Sequence, residues 1–499
     1  MKLNEIDFNL FNDKELIRIC IKYKLIEYND INKYKRSDLL NIIKEWVHNK
    51  LKIYGNQKSI KSVSVKRRNS ISGNLQKNTL SNKRSGPPKI NIQRRMSQPI
   101  TNIEKKDAIE THERINITQN AKQNISKNIS SHNPNYDIIG MYPPVEKLIA
   151  IGDLHGDLRI TISVLKLAEV IPQTANSNDL NNIHWCGGSS WIIQLGDQID
   201  RCRPDDWEKN CIKDYNDVTD DEGNNMNIIK LLLRLDEEAK KYGGRILGLL
   251  GNHELMNIDK DFRYVSPKEF LEFVPINDRN ITKTTDGYPQ GYYHRTKAFE
   301  RGGNIAKLYS TKKKSIIIVG NFLFVHGGLS IDLASKYTIP EINDIVSKWM
   351  LNKSSDIEDK IFNEIFRDDD DMSPFWCRIY GEDEDKENTE ESFNELLEII
   401  NKKNKLLNPV KSIVIAHTPQ FMHRKYLNSI YNNRLWRVDV GMSRAFGGHN
   451  ECSDYKYRQP QILIIHNNSK FETRRKPFNS QRHPSTGIGN NVDITKEFF

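Results

Sequence analysis

Five short apolar runs in this chain each stop at a turn that carries a metal-ligand type of side chain. That repetition constrains the fold more than anything else in the sequence. The run Trp191-Ile192-Ile193-Gln194-Leu195 reads as a buried strand. It breaks at Gly196, whose backbone freedom can aim Asp197 out of the strand end; Asp200 and Arg201 follow. The runs Leu148–Ile151 and Ile246–Leu250 lead likewise into Gly152-Asp153-Leu154-His155-Gly156-Asp157 and Gly251-Asn252-His253-Glu254. Phe322–Val325 leads into His326-Gly327-Gly328, and Ile413–Ala416 into His417-Thr418-Pro419. Strands apolar along their length need cover on both faces, which predicts an α/β fold: a β-sandwich flanked by helices. Helical periodicity over Leu158–Val170 and Met226–Tyr242 supplies part of that cover, the second helix ending at Gly243-Gly244. Two long segments, Cys202–Asn225 and Asn257–Lys314, read as irregular.

The carboxyl ends of strands are where α/β proteins place their chemistry. Side chains alternate along extended chain, so Asp153 and His155 face the same way and can grip one ion. Asp197 has two oxygens and can join that ion to a second. Asn252 offers a neutral carbonyl oxygen, and His326 and His417 offer imidazoles. Asp200 reads as a partner for a catalytic histidine and Arg201 as a phosphate clamp. Mixed carboxylate, imidazole and amide ligands suit Mn, Fe or Zn better than a thiolate metal, and no cysteine belongs to the set. Any one of these turns alone is more simply a capped turn with a surface ion pair. Five in succession are not.

The stretches GDLHGD, GDQIDR, GNHE, VHGG and AHTP resemble those of the calcineurin-like metallophosphoesterases, and their order and spacing are most similar to the phosphoprotein phosphatases. GNHELMNIDKDFRYV, SPFWCRIYG and RVDVGMSRAFGG resemble the bacterial-like (Shewanella-like) branch. The resemblance covers about residues 145–466 and implies a four-layer α/β/β/α sandwich with a dinuclear site. It implies that Asp153, His155 and Asp197 hold one of two divalent or trivalent ions, with Mn favoured over Fe or Zn. Asp197, Asn252, His326 and His417 would hold the other. His253 would be the general acid, oriented by Asp200. Arg201 and Arg378 would bind the substrate phosphate together with Asn252. The expected activity is phosphomonoester hydrolysis by a metal-bridging hydroxide, on serine/threonine phosphoproteins. A small-molecule hydrolase cleaving dinucleotide polyphosphates or phosphodiesters is the alternative, as is a nucleic-acid tether with a vestigial phosphatase body. Cys202 stands where the family has glycine, which puts the turn after Arg201 in question.

The net charge of +10 raises the question of nucleic acid, but its distribution answers it. Residues 51–100 hold 12 Lys and Arg and no Asp or Glu, whereas residues 141–466 carry −7. The catalytic body is therefore acidic, and the basicity lies in the flanks. Residues 1–52 read as a small helical unit similar to SAP modules, with Ser37 capping a helix that carries Leu39, Leu40, Ile43 and Trp46. Residues 53–135 have too few apolar anchors to offset chain entropy and read as a disordered basic linker. Residues 136–466 form the catalytic domain, and 467–499 read as a flexible basic tail. A nucleic-acid or protein partner is expected for residues 1–140. The six scattered cysteines and the lack of a signal segment predict an intracellular, reducing compartment, cytoplasmic or nuclear. No run of about 20 apolar residues exists, so no membrane insertion is expected.

Overall fold

The computed structural model describes residues 35, 37–45, 134–203, 211, 221–279, 287–367, 371–406, 408–447, 455–476 and 494–499. The chain divides into a unit over Met1–Thr101 and a unit over Asn102–Phe499. In the first, residues 37–45 are helical, and Leu39 and Ile43, one turn apart, are buried. The Asp38 carboxylate accepts from Lys35 N at 2.8 Å, and the Ser37 hydroxyl donates to Asp38 instead of capping the helix. The rest of the expected SAP-like unit, and residues 53–133 of the expected linker, lie outside the described residues.

The second unit contains two sheets. The larger runs β13(Thr495–Phe498)-β12(Lys470–Arg475)-β11(Gln461–His466)-β2(Lys147–Ile151)-β3(Trp191–Gln194)-β4(Arg245–Leu249)-β5(Lys313–Lys314). Its strands β2, β3, β4 and β5 are parallel to one another, and β11, β12 and β13 are added antiparallel. The smaller runs β1(Met141–Tyr142)-β6(Ile316–Val319)-β7(Phe322–Val325)-β8(Ser412–Ile415)-β10(Leu435–Arg437)-β9(Asn428–Ile430). Its strands β7, β8 and β10 are parallel.

Side-chain alternation explains the layering. Ile317, Val319, Phe322, Phe324, Val414 and Trp436 of the smaller sheet share one core with β2, β3, β4 and β11. Their neighbours Ile316, Ile318, Leu323, Val325, Ile413 and Leu435 face the other way. There they meet the helices Ile339–Met350 and Glu390–Asn404 through Val346, Trp349, Phe393 and Leu396. The helices Leu158–Leu167 and Asn225–Ala239 pack against the larger sheet. The result is the expected helix–sheet–sheet–helix sandwich.

Three expectations need correction. The first helix ends at Leu167, not Val170, because Glu169 turns left-handed at φ 61°. The stretch Asn257–Lys314 is not irregular throughout: it holds the end of the helix Asn252–Ile258 and the helices Pro267–Leu271, Tyr292–Phe299 and Asn304–Lys312. Short helices leave little periodicity to read, although Ser266, Pro267 and Glu269 do form a capping box with proline in the first turn. The tail beyond 466 is also structured where it is described. It supplies β12 and β13, because β11 is apolar along its length and needs a partner on its outer side.

Candidate metal centre

The registers of the two sheets bring the ligand turns together. Ile151 pairs with Gln194 and Gln194 with Gly248, so β2, β3 and β4 end side by side. Asp153, Asp197 and Asn252 follow those ends. In the facing sheet Phe324 pairs with Val414 and Ile415 with Arg437, so His326, His417 and Asp439 leave β7, β8 and β10 together. Asp439 is the ligand-type residue that reading the sequence missed as a site member.

Asp197 stands at the centre. Ligand atoms of His155, Asp197 and His253 lie within 4.8 Å of one another, and so do those of Asp197, His326 and His417. The carboxylate Oδ2 is 3.4 Å from His326 Nε2, 3.8 Å from His253 Nε2 and 3.9 Å from His155 Nε2. Asp153 closes the gap between the sheets, with Oδ2 3.7 Å from His155 Nε2 and Oδ1 3.9 Å from His326 Nδ1. Asn252 Oδ1 is 3.0 Å from His326 Nε2. Asp153 Oδ1, His417 Nε2 and Asp439 Oδ2 are buried with no hydrogen-bond partner among the described residues. Buried polar atoms are expensive to leave unsatisfied, so three orphans converging on one spot fit a site built for cations.

The electrostatics agree. Burial alone would push Asp197 up, but the imidazoles of His326 and His253 more than offset it and hold the carboxyl well below its usual range. Burial, then the neighbouring Asp439 and Asp197, drives Asp153 well above its usual range. Burial raises Asp439 to about 6. His155 is pushed down by burial and then by Arg203, and His417 by burial and then by Arg378. Asp153 and Asp439 thus resist ionisation and His155 and His417 are held down, whereas His326, which burial would lower, is raised on balance by Asp197; a cation pair would relieve the crowding of the carboxylates.

The backbone around these ligands is strained. His155, Asp197, Asp200 and His417 all have positive φ, at 42°, 49°, 72° and 64°. Such angles persist only where the surroundings enforce them. Glu254 does part of this: its buried carboxylate accepts from the N–H groups of Gly251, Asp197 and Gln198 at 2.7, 2.9 and 3.0 Å. Lys313 Nζ lies 3.5 Å from the same carboxylate. Asp197 Oδ1 in turn accepts from His253 N at 3.0 Å.

His253 Nδ1 donates to Asp200 Oδ2 at 2.8 Å, because an ionised carboxylate can only accept. Asn257 Nδ2 donates to both Asp200 oxygens at 3.0 and 2.9 Å, and Arg295 Nη2 to Oδ1 at 3.2 Å. Arg378 Nη1 donates to His417 O and to Thr418 Oγ1, both at 3.3 Å, which seats its guanidinium beside the centre. Arg201 is placed differently. Its side chain is wholly buried, 3.2 Å from Asp157 and 3.5 Å from Glu222. Arg203, two residues on, is half-buried, and its guanidinium carbon lies 4.8 Å from the Phe446 ring centre and 5.4 Å from that of Tyr264. The cysteines, read as scattered thiols, include one bonded pair: Cys202 and Cys211 form a disulfide across 6.3 Å between Cα atoms. Among the described residues Cys186 and Cys377 are free. No helix among the described residues is long and apolar enough to cross a membrane.

The chain is similar to known proteins over this region. It is 29% identical to Shewanella-like protein phosphatase 2 of Arabidopsis thaliana, covering 65% of this chain and 76% of that protein. It is 27% identical to Shewanella-like protein phosphatase 1 of Plasmodium berghei (strain Anka), covering 64% and 75%. A solved cold-active protein-tyrosine phosphatase of a psychrophilic Shewanella sp. aligns with TM-score 0.43 and 20% identity, covering 68% of this chain and 81% of that one. Residues 146–421, more than half of the chain, match the model of the calcineurin-like phosphoesterases. With every ligand turn from Asp153 to His417 inside that match, the chain belongs to the calcineurin-like phosphoesterases and is a metal-dependent phosphatase.

Proposed function

We propose that this enzyme hydrolyses phosphomonoesters of serine and threonine in proteins at a two-metal centre. The observation that carries the reading is Asp197 between two imidazole groups, with His253 held beside it by Asp200. The protein phosphatases named among its relatives support a phosphoprotein substrate. Asp153, His155 and Asp197 would hold one ion, and Asp197, Asn252, His326 and His417 the other, with Mn, Fe and Zn matching the donor set. When bound, the metal pair supplies Lewis acidity, acidifying water toward neutral pH and neutralising phosphoryl charge.

The chain's own groups do the rest. Asp200 fixes the Nδ1 proton of His253, so Nε2 is the atom that can give a proton to the departing alkoxide. Asn257 and Arg295 hold Asp200 from behind. Arg378 sets a cation beside His417 where phosphoryl oxygens would lie.

The test is a comparison on the manganese-supplied full chain. Phosphoserine and phosphothreonine peptides should turn over with higher kcat/KM than dinucleotide polyphosphates or phosphodiesters, and the reverse order would favour a small-molecule hydrolase. His253→Asn should lower kcat by about 10²- to 10⁴-fold with metal content unchanged. Metal loss in that variant would overturn the division between acid and ligand.

A further inference from the structure

Asp200, the carboxylate behind the proposed acid, has a buried counter-ion that none of the five ligand turns supplies. Arg295 comes from the helix Tyr292–Phe299, 95 residues along the chain from Asp200, and is wholly buried. Its Nη2 donates to Asp200 Oδ1 at 3.2 Å, and its Nε donates to Asn257 Oδ1 at 2.8 Å. Asn257 Nδ2 in turn donates to both Asp200 oxygens and to His253 O. Arg295 and Asn257 thus close a ring of donors around the carboxylate that takes the Nδ1 proton of His253.

Four phenylalanine rings cage the guanidinium. Its carbon lies 4.7 Å from the ring centre of Phe299, 5.4 Å from Phe273, 5.8 Å from Phe270 and 5.9 Å from Phe262. Shut away from solvent, that charge acts on its partner unscreened. The helix can approach this closely because Gly291, at φ 90°, precedes it; a Cβ there would run into Phe270 O. A tie between helices is the competing account, since Nη1 donates to Glu269 O and Nη2 to Asn225 Oδ1, both at 3.2 Å. Such a tie needs donors but no charge. A guanidinium charge is costly to bury unless it is paired, and the carboxylate in ion-pair contact with this one is Asp200.

We propose that Arg295 is a positioning residue for the acid step and sets the enzyme's preference between alkyl and aryl phosphate esters. Its charge keeps Asp200 ionised and turned toward His253, which holds the imidazolium with Nε2 toward the leaving oxygen. In the step it serves, a water oxygen bonds to phosphorus and the ester P–O bond breaks with its electron pair on the leaving oxygen. The Nε2 proton passes to that oxygen, and the proton shed by the water restores the imidazolium. A serine or threonine alkoxide departs poorly without that proton, whereas p-nitrophenolate departs readily without it. The inference rests on His253 as the acid, a reading that His253→Asn tests by itself.

The experiment uses the manganese-supplied full chain as wild type, Arg295→Met and Arg295→Lys, each with and without His253→Asn. Turnover of a phosphoserine peptide and of p-nitrophenyl phosphate is measured beside metal content. In Arg295→Met, kcat on the peptide should fall about 10- to 100-fold more than kcat on p-nitrophenyl phosphate, with metal content and KM unchanged. Arg295→Lys keeps the cation in its cage but cannot serve Asp200 and Asn257 together, so the same differential should appear at about 3- to 10-fold, even if the methionine variant fails to fold. In the His253→Asn background either substitution should add less than about 3-fold, because the group through which Arg295 acts is gone. Equal losses on the two esters, wild-type rates on both in a folded Lys variant, or a differential undiminished without His253 would overturn the proposal and leave the phosphatase reading intact. A His253→Asn enzyme with the wild-type rate on phosphoserine would instead overturn the acid reading, and this inference with it.

Discussion

The residues that define this site are held in conformations they would not choose alone, and single supporting side chains carry that constraint. Glu254 is the clearest. Its carboxylate accepts three backbone N–H groups that shape the turns around Asp197 and Gly251. Glu254→Gln would present an amide donor to one of those N–H groups and leave Lys313 without its anion. Manganese affinity should fall by about 10- to 100-fold, measured by metal titration, because supporting contacts of metal ligands have effects of that order. Unchanged affinity would mean that the strained turns keep their shape without it. Asp157 makes a different prediction. Burial would raise its pKa, but hydrogen bonds from Arg444, and the nearby Arg201 charge, lower it to about 2. Its folded value lies below its unfolded value of 3.8, so its stabilisation is present above that pH and is lost as pH falls toward about 2. At pH 7, metal-free Asp157→Asn should be less stable than metal-free wild type by about 2 kcal/mol in urea unfolding. The gap should close between about pH 4 and pH 2; a gap independent of pH would show that the helix cap, not the charge, carries the effect.

At the scale of elements, the ends of strands matter more than their middles. Gly196 has φ 94°, and a Cβ there would lie 2.6 Å from Gly251 N and 2.8 Å from its Cα. Close approach of the β3 and β4 turns therefore requires glycine at 196. Gly196→Ala should cost about 1–3 kcal/mol by thermal unfolding and should weaken metal binding, since relief of the clash moves Asp197. An alanine variant with native metal affinity would separate the turn from the site. Such turns were legible in the sequence because each signal is local: an apolar run, a glycine, then a ligand. Asp439 was not, because the polar Arg437 interrupts the run before it. Only the pairing of β10 with β8 aligns it with His417, while the buried Arg437 finds its own partners in Tyr380 O and Asp383. The disulfide was hidden for a related reason: Cys202 and Cys211 meet beside the backbone of Arg263 and Tyr264, far away in sequence, where Cys202 N donates to Tyr264 O and Cys211 N to Arg263 O.

For the catalytic unit as a whole, the sandwich is completed by chain that follows the last ligand. β12 pairs with β11 along six residues, and β11 in turn flanks β2, the strand that delivers Asp153 and His155. Phe471 of β12 packs on Trp436 at 5.0 Å and on Phe322 at 5.8 Å, both from the opposite sheet. Arg474 donates to Leu167 O at 3.1 Å and pairs with Glu169, tying the strand to the first covering helix. Composition hid this strand: Lys470, Arg474 and Arg475 look like a solvated basic tail, yet the charges of Arg474 and Arg475 are matched by Glu472 and Glu497. A chain ending at His466 keeps every proposed ligand, so a purely local view of the site predicts full activity. The pairing predicts otherwise. β11 would become an apolar edge with open backbone donors and acceptors, and the Phe471 contacts alone contribute about 1–2 kcal/mol. The shortened protein should melt at lower temperature and self-associate, and its metal affinity should drop with its stability, as read by calorimetry, sedimentation and manganese titration. If it remained monomeric with an unchanged melting temperature, β12 would be an ornament of the sheet edge and the two-sheet frame would owe nothing to it.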